Sequence, residues 1–421
     1  MKVLVIGNGA REHALTWKIS QSPLVDKLYV TPGNAGTAGI AQNLNIAASD
    51  VISIVKKAKE LHADLVVVGP EAPLAAGIAD QLQQAGIPVF GPSQAAARLE
   101  SSKAFSRELM QKYGIPCAAG KTFTDYSEAK SYLEKQALPV VVKADGLAAG
   151  KGVTVASTRE EAFNALQAIM ETKIFGKAGD SVIIEECLLG KEVSLLAFTD
   201  GKTVVPMVPA CDYKRVYDND RGPNTGGMGS YSPPGFFDYD MILKITEAII
   251  KPTVYAMSQE GSPYKGVLYT GLIMTDAGPK VLEFNARFGD PETQVILPRL
   301  KTDLVDIMMG VVNEKLGSTQ IKWTKDACVG VVMASGGYPG DYITGFPIEV
   351  SSKVDKEIHI FYAGAKKQDG GRIVTDGGRV LTVTATGKTM KEARDKVYRN
   401  IQHIRFDGNH YRKDIAAREV T

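Results

Sequence analysis

The chain has 421 residues, of which 44% are hydrophobic and 23% are charged, and its formal net charge is +2. This length is too great for one ordinary hydrophobic core, so we expect two to four domains. The near-neutral charge gives no support for a nucleic-acid or membrane surface, and no apolar run reaches the ~18 residues of a membrane span.

The cysteines and histidines exclude several kinds of site. The four cysteines lie far apart without a Cys-x-x-Cys pair, and the five histidines do not cluster. This spacing argues against a zinc site or a disulfide framework and favours a reducing compartment. The opening residues have the pattern of a strand and lack that of a signal peptide, so we expect a cytoplasmic enzyme.

Residues 1–92 alternate between β-favouring runs and amphipathic helical segments. The predicted strands are Lys2–Ile6, Lys27–Thr31, Asp64–Val68 and Ile87–Phe90. The predicted helices are Glu12–Ser20, Val51–His62, Ala72–Ala85 and one further helix over 94–113. The alternation predicts a parallel, doubly wound sheet, in which the loops at the carboxyl ends of the strands carry function.

The loop after the first strand, Gly7-Asn-Gly-Ala-Arg-Glu-His13, resembles the glycine-rich fingerprint of dinucleotide-binding proteins. Glu12 stands where the fingerprint needs its third glycine, and no acidic residue ends the second strand, so an NAD site is disfavoured. The glycines, the amides at a helix start, Arg11 and Asn34 suit a small phosphate ester instead. A tight turn that needs glycine only for packing explains the same residues equally well.

A second glycine-rich segment, residues 138–156, has the pattern of strand, loop and strand. Its Lys151 is followed by Gly152 and not by Ser or Thr, which excludes a Walker A phosphate loop. We interpret the segment as an antiparallel hairpin whose loop covers phosphates, with Lys143 and Lys151 as nearby cations. The alternative is a flexible hairpin with solvated lysines.

Residues 181–198 have the pattern of strand, short linker and strand. An exposed linker can bind adenine through its backbone, and Glu192, a few residues further on, can accept both ribose hydroxyls. An ordinary hairpin with solvated glutamates is the alternative. The next segment, 212–229, is long, polar and rich in glycine, and such loops inside a compact domain are usually functional.

The segment Val281-Leu-Glu-Phe-Asn-Ala-Arg-Phe-Gly-Asp-Pro-Glu292 joins a β-favouring run to a Gly-Asp-Pro turn. Alternation places Glu283, Asn285 and Arg287 on one face of the strand. Carboxylate and amide oxygens suit Mg²⁺, and arginine suits phosphate or carboxylate. Taken alone, an ordinary half-exposed strand with a surface ion pair explains this pattern better.

The order of hairpin, linker and metal-binding strand resembles the ATP-grasp superfamily, which holds ATP between two α+β lobes. More narrowly, Gly7–Ala14, Gly222-Pro-Asn-Thr-Gly-Gly-Met-Gly229 and residues 281–292 resemble motifs of the phosphoribosylamine–glycine ligase family, over essentially the whole chain. The resemblance implies a multidomain α/β and α+β fold. Its predicted parts are a doubly wound α/β domain over 1–100, an ATP-grasp domain over 101–326 with a mobile lobe near 117–195, and a small β-rich α+β domain over 327–421.

The resemblance also implies a ligase reaction of de novo purine biosynthesis. The glycine carboxylate would attack the γ-phosphate of ATP to give glycyl phosphate and ADP, and the amino group of 5-phosphoribosylamine would then displace phosphate. The metal would be Mg²⁺ or Mn²⁺. The partners would be these small molecules, with neither nucleic acid nor membrane, and the enzyme would be a monomer.

Individual residues take roles from the same resemblance. ATP would be bound by Lys103, Lys143, Gly146, Gly150, Lys151, Gly152, Glu185, Glu186, Leu188 and Glu192. The metal would be held by Glu283 and Asn285. Glycine and phosphoribosylamine would be bound by Gly9, Arg11, Asn34, Gly36, Glu71, Asp212, Asn224, Gly226, Gly227, Met228 and Arg287. Arg287, Lys143 and Asp212 would act in catalysis, with Asp212 receiving the glycine ammonium and Arg287 steadying the acyl phosphate.

Two other functions fit parts of the pattern. A sibling ATP-grasp enzyme, such as a purine-pathway carboxylase or formyl transferase, would share the ATP-binding residues but differ in the N-terminal loops and in residues 212–229. A non-catalytic nucleotide-binding regulator would bind ATP without turnover.

The strand region 268–274 also lacks the further acidic metal ligand that many ATP-grasp enzymes carry there.

Overall fold

The computed structural model describes residues 1–147 and 152–420, and its N-terminal part is a five-stranded parallel sheet. The strands, in the spatial order β3-β2-β1-β4-β5, are β1 (Lys2–Gly7), β2 (Lys27–Pro32), β3 (Gln42–Asn43), β4 (Leu65–Val68) and β5 (Val89–Phe90). The helices are α1 (Ala10–Ile19), α2 (Val51–Leu61), α3 (Glu71–Ala75), α4 (Ile78–Gln84), α5 (Gln94–Ser101) and α6 (Lys103–Lys112). The predicted doubly wound sheet is confirmed, with β3 as an additional short strand.

Two segments that were each predicted as one helix are divided in the structure. The segment 72–85 breaks at Gly77, whose φ of +82° is in the left-handed region that favours glycine. The segment 94–113 breaks at Ser102, which is extended and whose hydroxyl accepts a hydrogen bond from the Phe105 amide. Apolar periodicity continues across both breaks, so the sequence pattern did not show them. The second break makes Lys103 the first residue of α6.

Residues 120–186 form a lobe around a four-stranded antiparallel sheet. Its elements are β6 (Gly120–Phe123), α7 (Tyr126–Leu133), β7 (Val140–Ala144), β8 (Val153–Ala156), α8 (Arg159–Met170) and β9 (Val182–Glu186), with the strands in the order β6-β9-β7-β8. Phe123, Leu133, Leu166 and Ile184 belong to a hydrophobic cluster that is separate from the cores of the rest of the chain. The predicted antiparallel pairing within 138–156 is present as β7 and β8.

The next strands build a second sheet in the order β11-β10-β16-β17. The elements up to residue 312 are β10 (Lys191–Asp200), β11 (Val204–Pro206), β12 (Cys211–Asp212), β13 (Arg215–Tyr217), β14 (Arg221–Asn224), β15 (Gly229–Ser232), α9 (Tyr239–Ile245), α10 (Lys251–Gln259), β16 (Lys265–Thr275), β17 (Gly278–Asn285), α11 (Thr293–Ile296) and α12 (Leu304–Val312). Because β9 and β10 lie in different sheets, the ordinary-hairpin alternative for residues 181–198 is wrong. The linker 187–190 instead connects the lobe to the body of the molecule.

The C-terminal sheet has the order β12-β15-β18-β23-β20 and therefore includes two strands from the middle of the chain. Its remaining elements are β18 (Ala327–Ala334), β19 (Glu349–Val350), β20 (His359–Tyr362), β21 (Ala365–Lys367), β22 (Ile373–Thr375), β23 (Arg379–Gly387), α13 (Met390–Ile401) and β24 (Ile404–Arg405). The C-terminal region, residues 327–421, is thus less separate from the rest of the chain than its composition indicated, because β15 pairs antiparallel with β18. Thr389 caps the last helix, as the capping-box pattern predicted.

Short turns complete the secondary structure. In the part of the chain that the structure describes, 3₁₀ turns lie at Thr37–Gly39, Gly176–Gly179, Asp218–Asp220, Leu297–Arg299, Leu316–Ser318 and Ala417–Glu419, and a π turn at Thr246–Ile250 joins α9 to α10. Within residues 1–147 and 152–420, none of the helices is long and apolar enough to cross a bilayer.

His13 connects the N-terminal domain to the C-terminal sheet. Its Nδ1 accepts a hydrogen bond of 2.9 Å from the backbone N–H of Tyr362, and its ring stacks on the Tyr362 ring at 6.1 Å. The ring is buried, and burial lowers the pKa of His13 to about 4. A protonated Nδ1 could not accept the Tyr362 hydrogen bond, so acid should loosen this contact.

We expect His13 to make stability depend on pH. In the unfolded chain His13 binds a proton below pH 6.5, whereas in the folded chain it does so only below about 4. The contribution of neutral His13 to the free energy of unfolding is therefore fully present above pH 6.5 and is lost as the pH falls from 6.5 to about 4. The loss is on the order of 3 kcal/mol. Urea unfolding from pH 7.5 to 4.5 should show a smaller decline for His13→Gln. His62→Asn, at an exposed site, should leave the decline unchanged.

Candidate active site

Strand β17 carries the predicted metal face into a cleft. Glu283 lies opposite Gly271 of β16, and an ideal Cβ at Gly271 would come within 3.2 Å of the Glu283 side chain. Gly271 therefore leaves room for the carboxylate. On the other face Phe284, Ala286 and Phe288 are buried, as the alternation predicted.

Glu283 and Asn285 present hard oxygen atoms in this cleft. Asn285 Nδ2 lies 3.4 Å from Glu283 Oε1. Enclosure acts to raise the pKa of Glu283, but the ammonium groups of Lys214, Lys143 and Lys103 lower it overall, which keeps the carboxylate ionised. In the described ranges there is no group of three or more His, Cys, Asp or Glu that could hold a metal. Two protein oxygens fit a Mg²⁺-like cation that takes its other ligands from phosphates and water.

Arg287 joins this strand to the N-terminal domain. Its Nε donates to Glu71 Oε2 at 3.2 Å, and its Nη2 lies 3.0 Å from Glu100 Oε1. Glu71 is the first residue of α3, and Glu100 lies in α5. The surface ion-pair alternative is therefore wrong, because the guanidinium is only 17% exposed and is shared by two carboxylates from other elements.

Glu100 is the buried anchor of this arrangement. Its second oxygen, Oε2, accepts a hydrogen bond of 2.7 Å from the Ala286 backbone N–H. Burial raises the pKa of Glu100, while Arg287 opposes that rise. The carboxylate thus positions both the strand and the arginine.

Lys103 lies at the predicted phosphate side of the cleft. Its Nζ donates to the Gly146 carbonyl at 2.8 Å, and burial lowers its pKa. Gly146 has a φ of +120°, and the Gly152 carbonyl accepts from the Ala144 N–H at 2.8 Å. The predictions for Gly150 and Lys151 lie outside the described residues.

Lys143 bridges the lobe and the metal strand. Its Nζ forms an ion pair with Glu185 and approaches the Leu282 carbonyl at 3.4 Å. Glu185 also accepts from Arg107 at 3.0 Å, and its carboxylate is buried. The Glu185 side chain is therefore committed to two cations, a role that the linker pattern did not indicate.

The linker side of the cleft is more open. Glu186 is exposed and accepts from Lys280 at 3.0 Å and from the Ala119 N–H at 2.9 Å. Leu188 is half-buried within the linker. Glu192, the second residue of β10, is 51% exposed and lies 3.5 Å from Lys214 Nζ.

Asp212 lies at the floor of the cleft, where it is only 10% exposed. Lys214 Nζ is 3.0 and 3.1 Å from its two carboxylate oxygens. The sequence analysis did not single out Lys214, which lies between β12 and β13 and reaches Asp212 from outside either strand.

The predicted loop 224–228 packs against the C-terminal domain. Arg379 Nη1 donates to the Gly226 carbonyl at 2.6 Å, and Tyr338 Oη accepts from the Gly226 N–H at 3.0 Å. Gly227 has a φ of +110°, and a Cβ there would lie 2.4 Å from the Pro291 ring. This close approach requires glycine.

The other two predicted residues of this loop, Met228 and Asn224, differ in exposure. Met228 is buried in a small cluster with Val216 and Ala334, behind the wall of the cleft. Asn224 is half-buried at the end of β14.

The first N-terminal loop is occupied by its own carboxylate. Glu12 Oε2 accepts from the Gly9 N–H at 2.6 Å, and Oε1 accepts from Arg11 Nε at 2.5 Å. A Cβ at Gly7 or Gly69 would collide with the Glu12 side chain. Glu12 therefore satisfies amides at the start of α1, which explains why glycine is absent from that position of the fingerprint.

The second N-terminal loop is held by Asn34. Its amide donates to the Asn8 carbonyl at 2.9 Å and to the Tyr362 carbonyl at 2.7 Å, and its Oδ1 accepts from the Gly36 N–H. A Cβ at Gly36 would lie 2.1 Å from the His13 ring. In this structure Asn34 and Gly36 contact other parts of the protein, and their contact with substrate stays a prediction.

The lobed antiparallel sheets that face each other across this cleft define an ATP-grasp protein. The chain matches the family models described as phosphoribosylglycinamide synthetase N domain over residues 1–100, ATP-grasp (A) domain over 101–293 and C domain over 328–418. The chain belongs to the phosphoribosylamine–glycine ligase family.

Individual relatives agree with this assignment. A phosphoribosylamine–glycine ligase of Caldanaerobacter subterraneus is 49% identical, over 99% of this chain and 100% of the relative. The trifunctional purine biosynthetic protein adenosine-3 of Gallus gallus is 51% identical, and the chain spans 42% of that longer protein. The crystal structure of the Thermotoga maritima ligase superposes with a TM-score of 0.88 at 34% identity, over 99% of this chain and 100% of that one.

We expect Glu100→Gln to disturb both stability and turnover. Removing one charge of a buried pair costs on the order of 3 kcal/mol, and Arg287 would keep only Glu71 as a charged partner. Thermal unfolding and kcat should both decline. Glu108→Gln, on the exposed side of α6, is the matched control and should change neither. An unchanged kcat for Glu100→Gln would contradict the anchoring role.

Proposed function

We propose that this cleft carries out the ATP-dependent ligation of glycine to 5-phosphoribosylamine through a glycyl phosphate. The observation that supports this most directly is the convergence of Arg287, Glu283 and Asp212 between the N-terminal loops and the lobe. The arrangement offers cations for phosphates, hard oxygens for a metal and a carboxylate for an ammonium group. The enzyme would need no covalent intermediate of its own, since the acyl phosphate would form on the substrate.

ATP would lie between the lobe and the metal strand. Lys103 and Lys143 would neutralise its phosphates. Glu185, Glu186 and Leu188 would frame adenine, and Glu192 would accept the ribose hydroxyls. Glu283 and Asn285 would hold Mg²⁺ or Mn²⁺, which when bound would neutralise phosphate charge during transfer.

Glycine would bind with its ammonium on Asp212 and its carboxylate directed towards the γ-phosphate. Arg287 is positioned by Glu71 and Glu100, and it would neutralise the developing charge of the acyl phosphate. Positioning and charge neutralisation are the main contributions that protein residues make to such phosphoryl transfers. Phosphoribosylamine would approach from the N-terminal loops, near Glu71.

We further propose that the enzyme acts as a cytoplasmic monomer.

The direct test is ADP release from Mg-ATP with glycine, phosphoribosylamine (generated in situ) or both omitted in turn. We expect turnover only when both are present. Turnover with bicarbonate or formate in place of glycine would indicate a sibling ATP-grasp reaction. ATP binding without turnover under every condition would indicate a regulator.

Glu283→Gln tests the metal assignment. Since the amide keeps one oxygen but loses the charge, we expect turnover to fall by about 100-fold, while the dissociation constant of a non-hydrolysable ATP analogue changes by less than about threefold. The concentration of Mg²⁺ for half-maximal rate should rise. Glu247→Gln, an exposed helix position, is the control. Undiminished turnover of Glu283→Gln would show that Glu283 does not hold the metal.

A further inference from the structure

The ammonium group of Lys214 is surrounded by carboxylates. Its Nζ lies 3.0 and 3.1 Å from the two Asp212 oxygens and 3.5 Å from Glu192 Oε2, and Glu283 also acts on it electrostatically. Enclosure acts to lower its pKa, but these groups, Asp212 first, raise the pKa well above the ordinary value. Lys214 thus places its ammonium group directly on the Asp212 carboxylate.

The backbone on both sides of Lys214 is fixed by hydrogen bonds, whereas its ammonium group is attached through a flexible stem. Asp212 pairs with Ser230 in the C-terminal sheet, and the Lys214 carbonyl accepts from the Thr225 N–H at 2.7 Å. The Lys214 side chain is 38% exposed and has a four-carbon stem with several rotatable bonds. Its ammonium can thus leave Asp212 by rotation of the side chain, without movement of the backbone between β12 and β13.

The three carboxylates around Lys214 are the ones assigned to three different ligands. Asp212 is assigned to the glycine ammonium, Glu192 to the ribose and Glu283 to the metal. The other lysines of the cleft differ in this respect. Lys103 donates to a backbone carbonyl, and Lys143 is held by buried Glu185, so neither lies on the carboxylate assigned to an ammonium group.

We propose that Lys214 is a tethered substitute for the glycine ammonium: it occupies Asp212 in the empty enzyme, is displaced when glycine binds, and then neutralises phosphate charge in the loaded cleft. This inference rests on the proposed function, because it assumes that Asp212 binds glycine. Displacement costs glycine part of its binding free energy. The released cation cannot return to Glu192 or Glu283 once nucleotide and metal are bound, so the phosphates are its remaining counter-charge.

The test compares glycine with acetate, which keeps the carboxylate but lacks the ammonium group. Calorimetric titrations would use Lys214→Met and wild-type enzyme, both loaded with Mg²⁺ and a non-hydrolysable ATP analogue. We expect the ratio of the acetate to the glycine dissociation constant to rise about tenfold in Lys214→Met, because glycine no longer competes with a tethered cation. In turnover, KM for glycine should fall together with kcat, a combination that a merely structural role would not produce.

Three further variants complete the design. Lys214→Arg keeps the charge and should restore the wild-type ratio, and Lys214→Gln serves if the Met variant does not fold. Lys202→Met removes a lysine that is 78% exposed outside the cleft and should change nothing. An unchanged ratio, or one that shifts towards acetate, would overturn the proposal.

Asp212→Asn separates failure of this proposal from failure of the glycine-site assignment in the proposed function. If this variant binds glycine as the wild type does, Asp212 is not the ammonium site, and both the site assignment and the Lys214 proposal are wrong. If it weakens glycine binding while Lys214→Met leaves the ratio unchanged, only the Lys214 proposal is wrong.

Discussion

The arrangement of the cleft depends on one guanidinium that is held by two carboxylates. Arg287 follows β17, the strand with the predicted metal ligands, and pairs with Glu71 at the start of α3 and with Glu100 in α5. Because Glu100 also binds the Ala286 amide, the strand and its arginine are positioned by one buried group. The N-terminal sheet and the ATP-grasp strand are thus fixed relative to each other at the place where the substrates would meet.

A second feature is that the charges of the cleft already have partners before any ligand binds. Among the described residues, Lys143 lies on Glu185, Lys214 lies on Asp212, and Lys103 donates to the Gly146 carbonyl. Isolated charges at an enclosed site would be costly, so pairing keeps the empty cleft stable. A charged ligand that binds one of these groups would therefore replace an existing partner.

The C-terminal domain also contributes to the cleft. Arg379 holds the carbonyls of the 226–227 loop and pairs with Asp290 at 3.2 Å, so one residue connects the predicted substrate loop to the turn after the metal strand. Tyr362 performs a related role at the N-terminal loops, where it bonds to His13 and Asn34. Both contacts join residues that are more than 80 positions apart. No local pattern in the sequence indicates them.

Local chemistry in the sequence was sufficient to predict the parallel N-terminal sheet, the β7–β8 hairpin, the alternation around Glu283 and the family motifs, because strand periodicity and turn residues depend on near neighbours. It did not reveal the breaks at Gly77 and Ser102, where periodicity continues although the helix does not. Only the tertiary structure decided that Glu185 is buried between two cations, that Lys214 lies on Asp212, and that β12 and β15 join the C-terminal sheet. Those outcomes depend on long-range packing and on the desolvation of charge, and the spacing of residues along the chain predicts neither.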